Sequence, residues 1–279
     1  MKLIHTTKEN IKQIIFTTFS VVRIIRNSSI PTKFALKDKG NNRCLRICGN
    51  GISLNNNKFE QESAIDYMVV NKSVLSDKYC ELRPKYYVLA DPHFFTQPDG
   101  FDILSKINTK TDWNIYLCVP YSKKNKKIVS QYITNQKIRL QYYNNCDCKG
   151  ITRITHYMYR HQLAMPAVQN VMVACIMLGV YMKFNRIELY GVDHTWTKYL
   201  SVHDDNMVYI ENPHFYDKEK SKDEIFMLDN QTFQFHTVLQ LYARMFQSYW
   251  EIKDYIDKMN LPIKIINKTK GSFIDAFDR

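Results

Sequence analysis

Short apolar runs that each end in a polar residue or a glycine recur along this chain, and no other feature narrows its fold as much. Cys44-Leu45-Arg46-Ile47-Cys48 runs straight into Gly49-Asn50-Gly51-Ile52-Ser53-Leu54. Tyr67-Met68-Val69-Val70 ends in Asn71, and Tyr86-Tyr87-Val88-Leu89-Ala90 ends in Asp91. Ile187-Glu188-Leu189-Tyr190 ends in Gly191-Val192-Asp193. Residues 113–119, 138–143 and 263–267 have the same character. Such runs suit strands buried on both faces. Pro166 opens a predicted helix with Ala167, Val171, Ala174, Cys175, Leu178 and Met182 at three-to-four-residue spacing. A second begins near His236, carries Val238, Tyr242, Met245, Tyr249, Ile252, Ile256 and Met259 on one stripe, and stops at Pro262. Lys123-Lys124-x-Lys126-Lys127 starts a short polar helix whose lysines form a solvated face. Helices alternating with strands imply a parallel α/β sheet, and ligands of such sheets bind beyond the carboxyl ends of the strands. Asn50, Asn71, Asp91 and Asp193 are all expected at such ends, around one crevice.

A chain of 279 residues suits one large α/β domain or two small ones, and nothing splits residues 40–279. The expected organisation is an arm over 1–38 and a domain over 39–279. Within that domain, residues 194–235 are a long polar and aromatic segment with the character of a lid. With 45% hydrophobic and 24% charged residues the chain is globular. The 19 Tyr and 15 Phe could line a carbohydrate pocket or simply fill the core. Seven cysteines spread through the chain do not form a disulfide framework and suggest a reducing compartment. Cys146-Asp147-Cys148 is too tight for a metal knuckle, and no metal is expected.

The net charge is +12, of which +6 falls before Asp38. A basic balance fits nucleic acid, anionic lipid or phosphorylated substrates. Without zinc-finger spacing, an RNA-recognition signature or a long basic helix, nucleic acid is not expected as a partner. Residues 8–26 mix Lys8, Lys12, Arg23 and Arg26 with apolar residues near helical spacing. The run falls short of the roughly 20 uninterrupted apolar residues of a spanning helix. A basic amphipathic helix can lie on an anionic membrane, dock on the protein body or a partner, or act as a signal peptide, although no small-x-small cleavage site is evident.

The glycine loop invites two readings. One is a phosphate site, in which glycines with φ > 0 and free N–H groups admit an anion ahead of a helix N-terminus, with Asn50 donating and accepting hydrogen bonds. The other is an ordinary turn.

The motifs together resemble those of the bacterial lipo-oligosaccharide sialyltransferases, a group that shares its Gly-Asn-Gly-Pro-Ser-Leu loop with flagellin glycosyltransferases and archaeal hydroxymethylpterin diphosphokinase-like proteins. Gly49-Asn50-Gly51-Ile52-Ser53-Leu54 resembles that loop, with Ile52 in place of Pro. Val70-Asn71…Tyr79, Ala90-Asp91-Pro92-His93-Phe94-Phe95 and Leu178-Gly179…Gly191-Val192-Asp193 resemble the later motifs in order and spacing. The likeness covers about residues 43–100 and 165–195.

The resemblance implies a single Rossmann-like domain, a GT-A-like variant with a small lid, using a nucleotide-sugar donor without a metal. CMP-sialic acid is the donor of the sialyltransferases that the motifs resemble, so a CMP-sugar is favoured. Gly49, Asn50, Gly51, Ser53 and Asn71 would hold the nucleotide, with Asp91 and Asp193 at neighbouring strand ends. Asp91 stands where the family has Asn. His194-Thr195-Trp196 follows Asp193 where the family's lid carries tyrosines. The family base is a His before the late helix, and His236 occupies a comparable position. His194, His203 and His214 are its rivals, since sugar transfer needs a base near working pH. Asp204-Asp205 could hold a divalent ion or be a solvated loop.

The expectation is a cytoplasmic glycosyltransferase, peripheral on the inner face of the membrane. It would build a surface polysaccharide or glycolipid, and self-association is left open. The alternatives are a pterin-type diphosphokinase, which would need a metal, and a non-catalytic nucleotide-binding protein.

Overall fold

A computed structural model describes residues 2–28, 40, 42–60, 62–211, 223–228 and 231–279. The expected arm boundary at 38–39, together with His214, lies outside the described residues. The chain opens with helix α1 (Lys2–Asn27) and strand β1 (Cys44–Cys48). Then come β2 (Ile65–Val70), α2 (Lys78–Leu82), β3 (Tyr86–Val88), α3 (Pro98–Lys110), β4 (Ile115–Pro120), α4 (Lys123–Tyr132) and β5 (Ile138–Tyr143). Helices α5 (Thr152–Arg160) and α6 (Val171–Tyr181) lead into β6 (Arg186–Tyr190). Short strands β7 (Leu200–Val202), β8 (Val208–Glu211), β9 (Asp223–Ile225), β10 (Met227–Leu228) and β11 (Gln231–Thr232) follow. Helix α7 (Phe235–Lys258) and strand β12 (Lys264–Asn267) close the order.

Seven strands form one parallel sheet in the order β12-β6-β1-β2-β3-β4-β5. The fold is therefore α/β and Rossmann-like, as the apolar runs implied. The chain steps outward from β1 to β5, then returns to place β6 on the opposite side of β1. That reversal puts the topological switch point between β1 and β6, where parallel sheets open a crevice at their carboxyl ends.

Alternation along β1 sorts the two faces. Leu45 and Ile47 belong to a core with α6 and α7, while Cys48 joins Tyr67, Tyr87 and the α3 side chains in a second core. Helix α6 is buried on nearly every side, from Val171 to Val180, so it reads as apolar throughout rather than striped. It starts at Asn170, whose side chain accepts from Met172 N at 2.9 Å, and not at Pro166 as the sequence suggested. An amide cap satisfies orphan N–H groups, whereas Pro166 only fixes its own φ. Glu188, 4% exposed on β6, is bonded by Arg46 Nε at 3.1 Å and Arg186 Nε at 2.8 Å. Burial pushes its carboxyl up, and these guanidiniums more than reverse that, leaving it below the ordinary value.

Within the segment 194–235, expected as a lid, the described residues carry structure of their own. β7, β8 and β9 make a small antiparallel sheet, and β10 pairs with β11. Phe226 packs edge-on against Tyr242 of α7, tying this segment to the amino-terminal half of that helix. All seven cysteines are free. No described helix is long and apolar enough to cross a membrane.

Candidate functional site

The loop after β1 and the loop after β6 are zipped together. Gly49 N donates to Tyr190 O and Gly51 N to Gly191 O, each at 2.8 Å. A Cβ on Gly51 would fall 1.7 Å from Asp193 Oδ2 and 2.7 Å from Gly191 O. This corrects the phosphate-cradle reading of the glycine loop. Gly51 has φ −70, and both glycine N–H groups are spent on protein carbonyls. The glycines are small so that two backbones can touch, not so that an anion can approach.

The zipped loops form one wall of an open crevice at the switch point, with a cavity volume of about 160 Å³. That is below the roughly 300–1,000 Å³ of sites that enclose a drug-sized ligand. Gly49, Asn50, Gly51, Asn71, Asp193 and His194 all line it. Asn50 is braced against the end of β2, with Nδ2 3.4 Å from Val70 O and Oδ1 2.8 Å from Ser73 Oγ. Ser53 stands behind the wall and donates to Asp193 Oδ2 at 2.9 Å, so the two act as a pair.

Two non-glycine wall residues, Asn71 (φ 48) and His194 (φ 52), sit in the left-handed region. Such conformations persist only where the surroundings impose them, and they gather at ligand sites. Asn71 O accepts from the Tyr87 hydroxyl at 2.5 Å, which fixes its backbone. Its side-chain Oδ1 is buried and has no hydrogen-bond partner among the described residues. The loop after β6 is pinned from behind. Val192 N donates to Thr269 Oγ1 at 3.0 Å, and Ser272 Oγ donates to Val192 O at 2.6 Å.

The amino-terminus of α6 adds Asn170, Val171 and Met172 to the lining. An eleven-residue helix aimed at the crevice offers an anion the partial positive charge that the glycine loop does not. Trp196 completes the wall, stacked on Tyr242 at 5.9 Å with an interplanar angle of 12°.

The other expected residues lie elsewhere. Asp91 is not in the wall. Its carboxylate accepts from His93 N at 2.9 Å and caps the short helix Pro92–Phe95. Strand β3 ends one place further from the switch point than β2 does, so the fourth expected strand end does not converge. His194 is 6% exposed, its Nε2 lies 2.6 Å from the Tyr249 hydroxyl, and its ring packs on Trp196. Burial lowers its pKa to about 3, so it stays neutral and makes a poor general base. His194 therefore fixes the wall to α7. His236 is exposed at the start of α7, less than two turns before Tyr242, and is not in the wall. His203 stacks on Tyr209 in the β7–β8 hairpin. Asp205 closes that hairpin, accepting from Met207 N at 2.9 Å and Tyr209 Oη at 3.0 Å, so Asp204-Asp205 reads as turn chemistry. Burial pushes the Cys48 thiol up to about 12, which removes it as a nucleophile beside the loop.

Sequence reasoning missed Asn170, Tyr249, Thr269 and Ser272. Asn170 carried a signal, an amide directly before an apolar helical run. The other three support the wall from distant parts of the chain, and no local pattern marks them. Compared with known proteins, the chain matches no family model and no curated protein.

Proposed function

We propose that the crevice binds a nucleotide-activated sugar, with a CMP-sugar favoured, and that the protein is a glycosyltransferase acting on a polysaccharide or glycolipid acceptor. One observation carries this reading. The buried Asn71 Oδ1 has no partner among the described residues, and Asn71 lines a crevice whose lining includes a helix amino-terminus. A buried acceptor costs about 1–3 kcal/mol until a donor reaches it. A nucleobase amino group or a ribose hydroxyl is such a donor, and the attached phosphate suits the α6 terminus. Trp196 adds an aromatic surface for a base or sugar ring. The motif resemblance supports the same class and favours CMP.

In this reading Asn71 and Asn50 hold the nucleoside, and the α6 terminus stabilises the phosphate as it departs. His236 takes the proton of the acceptor hydroxyl, while neutral His194 orients Trp196.

The test is melting temperature with CMP, ATP, UDP and GDP in turn. A nucleotide present at a hundredfold over its Kd adds about 2.7 kcal/mol. CMP is expected to stabilise the protein and Asn71→Ala to abolish the effect. Silence with all four nucleotides removes the reading, and a response to ATP alone shifts it to the kinase class. His236→Ala is expected to lower turnover by about 10²–10⁴-fold with CMP binding intact. Unchanged turnover takes the base role away from His236.

A further inference from the structure

Helix α1 is docked inside out. The residues that face the protein are small and polar. Thr17 Oγ1 accepts from Ile151 N at 2.8 Å, Lys149 N donates to Ser20 Oγ at 3.0 Å, and Ser28 Oγ donates to Leu163 O at 2.8 Å. Arg23 pairs with Asp147 and donates to its carbonyl at 2.7 Å. Ile24, 4% exposed, is the one α1 side chain in the described core. Close approach is possible because Gly150, at φ +117, has no Cβ. One placed there would lie 2.1 Å from Thr17 Oγ1 and 2.6 Å from Gln13 O.

The large apolar residues point the other way. Ile11, Ile14, Ile15, Phe19, Val22 and Ile25 fall at three-to-four-residue spacing and are all exposed, Phe19 by 72% and Ile25 by 75%. They form a continuous stripe about 21 Å long. Exposed apolar surface of this extent marks an interaction site.

We infer that this stripe lies on an anionic lipid surface. Charge complementarity selects this occupant. Lys12 and Arg26 are exposed along one edge of the stripe, and residues 10–28 contain no acidic residue. A second copy packed through the same stripe would bring these cations close to one another. A bilayer interface accepts the apolar stripe at the acyl boundary and the cations at the headgroups. Because α1 is fixed to the 147–151 loop by its polar face, it meets the membrane without leaving the protein. This inference stands apart from the nucleotide crevice and does not depend on it.

The test is co-sedimentation of the full chain with vesicles of phosphatidylglycerol mixed with phosphatidylcholine, and with phosphatidylcholine alone. Binding is expected to the anionic vesicles and to weaken with added salt. The double substitution Phe19→Ser, Ile25→Ser is expected to lower partitioning on the order of a hundredfold. Its melting temperature should match the parent, because both side chains are exposed in the folded protein. Lys12→Glu with Arg26→Glu should remove the preference for anionic vesicles. The inference is overturned if the folded chain ignores anionic vesicles. It is equally overturned if sedimentation shows a dimer that the Phe19→Ser, Ile25→Ser protein loses, which would make a second copy the occupant.

Discussion

Helices α1 and α7 have nearly the same length, 26 and 24 residues, and each carries one apolar stripe, yet they face opposite ways. α7 turns Val238, Met245, Tyr249, Ile252 and Ile256 into the protein, where each is 7% exposed or less. α1 turns Thr17 and Ser20 inward and leaves its isoleucines and Phe19 outside. Apolar periodicity reveals that a helix has a stripe, not what covers it. The deciding information lies in the opposite face. On α1 that face bears Thr17 and Ser20, small enough to meet a glycine-containing loop closely. On α7 the opposite face bears Gln240, Lys253 and Asp257, suited to water.

The strongest way to break this comparison is to truncate matching residues. Ile252→Ala is expected to cost about 4 kcal/mol, the lost transfer energy plus a cavity beside a sheet that cannot collapse. Ile25→Ala, the same chemical change on α1, is expected to stay within about 0.5 kcal/mol. Urea denaturation of the two variants measures the contrast. Equal losses would mean that the α1 stripe is covered in the folded protein.

Legibility in the sequence followed the same division. Every central strand was visible, because strands buried on both faces must be apolar runs whatever packs on them. Strand 138–143 was read to the residue. α3 and α5 passed unnoticed, α3 although Ile103, Leu104 and Ile107 stand at helical spacing and α5 because its buried positions are not an apolar stripe. In α5, His156 and Tyr159 are the buried positions. At the site, the residues on the loops beside the switch point were legible from strand ends alone. Gly49, Asn50, Gly51, Asn71 and Asp193 do meet in one wall. What the glycines are for was not legible, since their partner, Gly191, is distant in sequence. Asp91 was misjudged because a polar residue at a strand end can equally cap the next turn, as its bond to His93 N shows.

A second prediction uses the inner face of α7, which supports the crevice as well as the core. His194 is buried against Tyr249, and burial lowers its pKa from 6.5 to about 3. The unfolded chain takes up that proton near pH 6.5 while the folded one does not. Its contribution is therefore complete above pH 6.5 and is lost as pH falls towards 3. The loss is about 2 kcal/mol between pH 7 and pH 5. His156, also lowered by burial, adds loss in the same window, whereas depressed Glu188 acts only below the ordinary carboxylate range. His194→Gln should flatten the stability profile over pH 7 to 5 and leave the slope due to His156. An unchanged profile would mean that His194 titrates normally and remains a candidate base.

The smallest effect is expected at the joint that holds α1. Gly150→Ala places a methyl group against Gln13 O and Thr17 N, 2.6 and 2.7 Å away, at a φ of +117 that alanine resists. Backbone of the helix cannot yield as a flexible side-chain tip would, so α1 must lift from the 147–151 loop. The strain is on the order of 1–2 kcal/mol. Because few apolar contacts cross this joint, the central sheet should be indifferent. Hydrogen exchange is expected to quicken about tenfold at the amides of residues 13–24 and to stay unchanged in β1, β2 and β6. Ile252→Ala should do the reverse, lowering protection throughout the sheet. If Gly150→Ala loosens the sheet as well, α1 is part of the same cooperative unit as α7, and the inside-out helix is a structural element of the fold rather than a platform attached to it.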